Sequence, residues 1–417
     1  MAPKFRATPI ATAELWVNFP ISVIFDPPID IYIDPVNGND ANDGLTPLTA
    51  KQSWFNTYDI APLLPPKQVI YHLMPGAHDN MPISLFGGNI TAVGTASISH
   101  FPLTTPFAFS AANRTMTFFP SPAWGIDEHK GRLLYIPFFD MDPVYGRAQA
   151  SYPIVSNTAD TLTLAMQNLP GFGTWPVEIV TPAATCQPPM WFGSQSNLFN
   201  FSLDMSLTGS SLYNGSGTFT GCIINGAGGG VNSSVHSNAT GTVLTGFNGF
   251  ETQQYTRLNS VFFDSAANMA ILGWMNIRES DIRDCFFDGK GSTGCFVYAS
   301  EGGTRFDGKT TFKGLSMSMN PGSFLITNDD IHINDSPNDG LQIHGGHLQI
   351  QGPTGLGGTG NANFGVRVLD GAFISGGTNA TITGASGDFT QDNGVTPLAW
   401  AADVPITNLV YLSRVGA

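Results

Sequence analysis

Charged residues are scarce: Asp, Glu, Lys and Arg make up 12% of the 417-residue chain, about half their share in an average soluble domain. Cations are the scarcer sign, with 17 Lys and Arg against 31 Asp and Glu and a net charge of −14. The few basic residues form no patch, which argues against a nucleic-acid partner. The diffuse acidity reads as solubility rather than as a cation site. Cysteine is nearly absent. Cys186, Cys222, Cys285 and Cys295 include no CxxC pair, so no zinc site is signalled. Cys222 and Cys285 lie in apolar strand-like runs, which favours small buried thiols. No apolar run approaches the ~18 residues of a membrane span, so no membrane insertion is expected. The first 16 residues hold no secretory h-region. Walker loops, GxSxG elbows and HExxH motifs are missing, and neither a cofactor nor a metal is expected.

What the chain has instead is glycine and phenylalanine, 48 and 30 residues, in a sequence that is 42% hydrophobic. Such a chain wets its surface with Ser, Thr, Asn and Gln rather than with ions, as β-rich proteins that work outside cells or in particles do. This much glycine, with few Glu, Lys and Arg, argues against a helical repeat. From about 209, short apolar strands closed by a small polar residue recur. Cys222-Ile223-Ile224-Asn225 can be laid over Val243-Leu244-Thr245, Val261-Phe262-Phe263-Asp264 and Cys285-Phe286-Phe287-Asp288. The closing positions 225, 245, 264 and 288 recur every 19 to 24 residues, and Phe306-Asp307-Gly308 continues the series. Later members lie at 331–334, 341–343, 348–350, 366–369, 372–375 and 381–384. One coil of three short strands with its turns takes about 20 residues, so this period predicts an all-β parallel solenoid. Coils stacked ~4.8 Å apart would set Phe262 or Phe263 near Phe286 or Phe287 as an aromatic ladder inside. Asn225, Asp264 and Asp288 would share one corner.

Residues 1–30, punctuated by Pro9, Pro20, Pro27 and Pro28, read as an arm rather than a helix. Residues 31–104 read as entry and cap. They hold the strand Ile31-Tyr32-Ile33-Asp34, a polar turn-rich loop over 35–44, a short helix around 51–58, a strand at 68–73 and the Pro75-Gly76 turn. An open solenoid end exposes apolar core and unpaired strand edges, and therefore needs a plug. Residues 105–200 read as an irregular β insertion, with a strand at 131–136 and a hairpin at 152–164. Residues 201–390 form the main solenoid and 391–417 a C-terminal cap.

Glycan-cleaving chemistry on such a scaffold needs carboxylates. An inverting glycosidase uses two acids about 6.5–9.5 Å apart, and adjacent coils can supply them. One cluster, Glu279, Asp281, Asp284 and Asp288, offers Asp281 and Asp284 as catalytic candidates, flanked by Arg278 and Arg283. A second, Asp329, Asp330, Asp335 and Asp339 with His332, His344 and His347, offers Asp329, Asp330 and His347. Here Asn328-Asp329-Asp330 and His344-Gly345-Gly346-His347 resemble the Asp-Asp and Gly-His-Gly elements of polygalacturonases. The Gly-His-Gly order is not reproduced, and that family's Arg-Ile-Lys element has no counterpart downstream. Asn and Asp that cap turns with their own side chains account for the same residues. Trp175 and Trp274 are glycan-stacking candidates, with core or trimer packing as the competing reading. The 34–44 loop is acidic but misses the register of an EF-hand.

The entry block at 31–76, the insertion-like stretch at 131–164 and the coils at 209–384 together resemble the β-helix proteins of tailed bacteriophages: tailspikes, receptor-binding proteins and virion decorations. The resemblance implies a right-handed parallel β-helix of pectate-lyase-like fold, with an N-terminal arm and cap and an inserted small β subdomain. It implies a homotrimer, assembled in the host cytoplasm, held to other virion proteins by its arm and exposed on the virion towards host surface polysaccharide. The function that follows is a structural tail spike or fibre-like protein that binds host glycan. Two alternatives stay open: a polysaccharide depolymerase, hydrolase or lyase, and an architectural capsid or tail decoration without receptor binding.

Overall fold

The computed structural model describes residues 28–391 except 55–56, 58–67, 79–89, 95, 104–105, 137–150, 167–171, 174–176, 187–196, 201, 205–211, 227–234, 248–249, 252–255, 266–273, 278–279, 292–295, 300–301, 321–322, 328–330, 345, 351–354, 370–372 and 377–380. The arm through residue 27 and the C-terminal segment from 392 lie outside the described residues.

Parallel pairing begins at once, with Ile29–Ile33 in register against Val69–Leu73. Among the described residues three parallel sheets then run along the molecule. The first has twelve strands, from Ile29–Ile33 to Phe373–Gly376. The second has eleven, from Gly76–His78 to Thr381–Gly384, and the third seven, from Phe250–Glu251 to Gly387–Gln391. A complete coil gives one strand to each sheet, as Gly302–Asp307, Thr310–Lys313 and Ser316–Met319 do. The fold is thus the all-β parallel solenoid that the period predicts. The stretches that overlay in sequence also overlay in space, with Asn225↔Thr245, Thr245↔Asp264 and Asp264↔Asp288 in register.

Side chains alternate across a strand, and this splits the expected aromatic ladder in two. Phe263, Phe287 and Phe312 point into the solenoid, with successive ring centroids 6.2 and 4.9 Å apart. Phe262 and Phe286, 5.9 Å apart, point outward from the same strands and pack under the inserted subdomain. The internal core runs without a break from Ile31 to Ile382 and includes Cys186, Cys222 and Cys285 as free thiols. Burial pushes the Cys285 thiol up to about 12, so it is inert at neutral pH.

Between the first and second sheets the chain turns on one residue with left-handed backbone. These are Asn200, Gly221, Gly241, Ser260, Asp284 and Gly308 in successive coils, with φ between 51° and 62°. The N–H groups of the first five bond carbonyls of the following coil, for example Gly221 to Thr240, Gly241 to Asn259 and Ser260 to Arg283 at 2.9–3.0 Å.

A loop over 35–51 pairs with the first strand at the entry; of the helix expected at 51–58, residues 55–56 and 58 lie outside the described residues, and Thr57 N donates to Trp54 O at 3.0 Å in a 3-10 turn. Lys51 forms a parallel bridge to Ile33. The Tyr32 N–H donates to Gly44 O and the Lys51 N–H to Tyr32 O, so the first strand's outer edge is paired. A 3-10 segment, Pro47–Thr49, is capped by Thr46. The amides of Gln52 and Ser53 donate to Asp40 Oδ1 at 3.0 and 2.9 Å. Trp54 is the plug: fully buried, with its ring 4.9 Å from Tyr71 and 6.5 Å from His78.

The inserted unit leaves the solenoid at the one-residue corner. The strand Ile90–Gly94 pairs in the first sheet and Ala184–Cys186 in the second, where the next coil passes directly from Phe199 to Ser202. Between them lies an eight-stranded antiparallel sheet built from residues 96–182. This differs from the expected 105–200. Ala96–Leu103 is antiparallel to Val177–Pro182, whereas Ala184–Cys186 and Asn197–Phe199 pair in parallel as coil strands. Coil strands of three residues carry too little apolar pattern to read as solenoid. The hairpin forms as Ser151–Asn157 and Thr161–Leu164.

Candidate functional site

The antiparallel sheet buries one face in its own core, through Phe107, Met116, Phe118, Ile154, Leu162 and Ile179. Its other face, with Leu133, Tyr135, Val155 and Val180, lies on Val243 and Phe262 of the second solenoid sheet. Arg114 pins the contact. It is only 3% exposed, and its Nη2 donates to Thr311 Oγ1 at 2.5 Å and its Nη1 to Cys285 O at 3.4 Å. Its guanidinium lies 5.9 Å from the centroid of Phe286. Lys309 adds a bond from Nζ to Ala112 O.

Beside this dry contact the two parts diverge and leave a cleft of about 460 Å³. The subdomain wall carries Asp127, Lys130, Ser156 and Thr163; the solenoid wall carries Phe286, Asp288, Thr311, Lys313, Asn334, Asp335 and Thr359. The solenoid residues come from four consecutive coils: Phe286 pairs with Thr311, Asp288 with Lys313, Lys313 with Asn334, and His332 with Gly357. Outward side chains two apart on each strand make two columns, one apolar or hydroxylated at 262, 286 and 311, the other charged at 264, 288 and 313. The subdomain buries Phe262 of the first column, while Phe286 and Thr311 of that column and Asp288 and Lys313 of the second line the cleft.

Lys130 closes one end. Its Nζ lies 3.3 Å from Asp264 Oδ1 and 3.5 Å from Asp288 Oδ2, and 5.7 Å from the Phe262 ring centroid. Lys290 Nζ faces Asp264 Oδ1 from the other side at 3.3 Å. Both ammonium groups face that oxygen at ion-pair distance. Burial alone would lower the Lys130 pKa, but Asp264 and Asp288 more than reverse it and hold the ammonium above its ordinary value. Asn157 fixes the loop that presents Lys130. Its Nδ2 donates to Gly125 O at 2.7 Å, its Oδ1 accepts from His129 N at 2.7 Å, and its backbone N–H donates to Asp127 Oδ1 at 3.2 Å.

The described catalytic candidates Asp281, Asp284 and His347 do not converge. Asp281 is exposed on a first-sheet strand, in register between Arg257 and Arg305 and 3.9 Å from Arg257 Nε. Asp284 is the left-handed corner residue, only 5% exposed. Its Oδ1 accepts the Lys309 N–H at 3.0 Å and its Oδ2 lies 3.5 Å from Arg283 Nε. Burial raises its carboxyl pKa against the pull of the Lys309 amide, Arg283 and Arg114. His347 is half-buried in the first sheet, in register between Phe324 and Phe373, and burial lowers its imidazole pKa. His344 belongs to the third sheet, so the two histidines of the polygalacturonase-like stretch stand on different sheets. Asp329, Asp330 and Trp175 lie outside the described residues, and Trp274 belongs to the strand Trp274–Ile277, its side chain lying outside them. Asp288 does reach the cleft. Asp335, a member of the second acidic cluster, reaches it too; Lys130 and Lys313 were not singled out by sequence reasoning, because no local pattern joins a loop at 130 to coils beyond 260.

Among the described residues no group of three or more His, Cys, Asp or Glu side chains could hold a metal ion. In the acidic entry loop the carboxylates meet donors instead. The Asp34 carboxylate accepts from the amides of Val36 and Asn37, and Asp43 from Leu45 N and Thr49 Oγ1.

No protein-family model matches the chain, and no curated protein does. Among solved structures, the tailspike protein gp49 from Pseudomonas phage LKA1 is 12% identical with a TM-score of 0.21, over 78% of this chain and 65% of that one. The Gp54 tailspike of Acinetobacter baumannii bacteriophage AP22, in complex with A. baumannii capsular saccharide, is 11% identical with a TM-score of 0.20, over 78% and 65%. The GH136 lacto-N-biosidase from Eubacterium ramulus is 11% identical with a TM-score of 0.25, over 87% and 63%. The chain spans less than two thirds of each of these three structures. Identities of 11–12% and TM-scores of 0.20–0.25 carry no assignment of family or activity.

Proposed function

We propose that this chain is a glycan-binding β-solenoid of a bacteriophage particle, a tail spike or fibre-like component, and that host surface polysaccharide occupies the cleft between subdomain and solenoid. The make-up of the cleft carries the reading. A half-buried aromatic ring, Phe286, lies among the hydroxyls of Ser156, Thr163 and Thr359, the amide of Asn334 and charged groups of both signs. An apolar face ringed by convergent polar groups is what a sugar ring, with its C–H faces and equatorial hydroxyls, requires. The sequence resemblance of the entry block, the insertion and the coils to phage β-helix proteins points to the same class. On this reading the chain acts as a homotrimer on the virion, tied to other virion proteins by its N-terminal arm. Asp281 and Asp284 are assigned no catalytic role: one faces Arg257 in solvent, the other is committed to a corner.

The test is retention of bacterial capsular polysaccharides and lipopolysaccharides by the purified protein, with and without Ser156→Trp, which fills the cleft. Wild-type protein should retain at least one polysaccharide and the variant none, with unchanged circular dichroism. Equal retention by both, or none by wild type across the panel, would overturn the reading. Release of oligosaccharide during incubation would turn it towards a depolymerase.

A further inference from the structure

We infer that the cleft takes a sugar bearing an acidic group, and that Lys313 reads that group; this rests on the glycan-binding reading of the same cleft. The charges around the cleft divide into those already engaged and those facing it unpaired. Lys130 is engaged by Asp264 and Asp288. Asp288 also accepts the Lys290 N–H through Oδ1 at 3.0 Å, so both its oxygens have partners. Asp127 accepts from Asn157 N. Lys313 is exposed on the cleft wall, and its ammonium has no ion-pair partner among the described residues. In a chain with 17 cations and 31 anions, a lysine left without an ion pair in the column between Asp288 and Asn334 is an available charge rather than a structural one.

Its coil reinforces the sign. Lys309 and Lys313 flank the strand, and Arg114 reaches it from the subdomain. Because Thr311 Oγ1 accepts from Arg114, the Thr311 hydroxyl keeps its own hydrogen to donate. A carboxylate on a sugar seated against Phe286 would meet the Lys313 ammonium and the Thr311 hydroxyl together. Asp335, one coil on and also without an ion-pair partner among the described residues, lies beyond Asn334, where it accepts sugar hydroxyls.

The experiment is saturation-transfer NMR of the full chain with glucuronate and with glucose, each titrated singly and in competition, at low and at high salt. Glucuronate should bind roughly ten-fold or more tightly than glucose, the worth of one charge-assisted hydrogen bond. The preference should shrink as salt rises and disappear in Lys313→Gln, an exposed change that leaves the fold intact by circular dichroism. Equal binding of the two sugars, or a preference that survives in Lys313→Gln, overturns this inference while the cleft reading stands. Binding of neither sugar overturns both.

Discussion

Asp284 separates a structural reading from a catalytic one, because a raised carboxyl pKa is also the mark of a general acid. Two substitutions test it. In Asp284→Asn the amide oxygen still accepts the Lys309 N–H, and asparagine tolerates the left-handed backbone at φ 52°. The raised pKa means that burial outweighs the Lys309 amide, Arg283 and Arg114, so that the folded surroundings favour the neutral form relative to water. A neutral isostere should therefore be as stable as wild type to within about 1 kcal/mol. Asp284→Ala leaves the Lys309 amide without its acceptor, at about 1–3 kcal/mol. It also places a Cβ residue without local side-chain bonding in left-handed backbone, at about 1–2 kcal/mol. Together these should cost about 2–5 kcal/mol. The sign of the pH effect follows from the direction of the shift. A folded pKa above the ordinary 3.8 gives a contribution that is complete below 3.8 and lost as pH rises through the folded value. Asparagine has no such loss, so its stability relative to wild type should increase as pH rises from 3.8 and then level off. Urea denaturation of the three proteins across pH 3 to 8 measures this. Loss of stability in Asp284→Asn equal to that in Asp284→Ala, or a wild-type-to-Asn difference that ignores pH, would refute the reasoning.

The two aromatic ladders should fail differently. Phe287→Ala opens a cavity between Phe263 and Phe312 and should cost about 3–5 kcal/mol of solenoid stability in denaturant titrations. Phe262→Ala is equally buried but under the subdomain, so limited proteolysis should cut within 96–182 first while the coils stay protected. The Lys130 clamp should fail in alkali. A raised lysine pKa gives stability that is complete below its ordinary 10.5 and lost as pH rises through the folded value. Subdomain proteolysis should therefore accelerate above that pH in wild type, and in Lys130→Met it should show no such step.

The solenoid was legible because one coil repeats another. The closing positions 225, 245, 264 and 288 are in register in the molecule, since a stack of coils turns sequence period into spatial alignment. The sharing of Phe262 and Phe263 between two cores was only half legible. Both residues are apolar, so nothing in the run marks which one faces out until a subdomain lies against it. The cleft was not legible. Lys130 meets Asp264 and Asp288 across an insertion that is docked by tertiary contact alone. Asp284 misled for a related reason: burial and left-handed backbone are properties of the corner, and an aspartate in a polar run looks the same whether it caps a turn or awaits a substrate.

The corner at which the insertion leaves also says how such a molecule can change. Gly94 and Ala184 occupy sites that the next coil joins almost directly, so the two ends of the inserted unit emerge side by side and impose no stretch on the coils above and below. A module with neighbouring termini can therefore be exchanged there as a cassette. The stack would keep its register, and only the wall facing the outward columns would be new. A swap of residues 95–183 would therefore renew the subdomain side of the cleft, which carries Asp127, Lys130, Ser156 and Thr163, while Phe286, Thr311 and Lys313 stay with the solenoid.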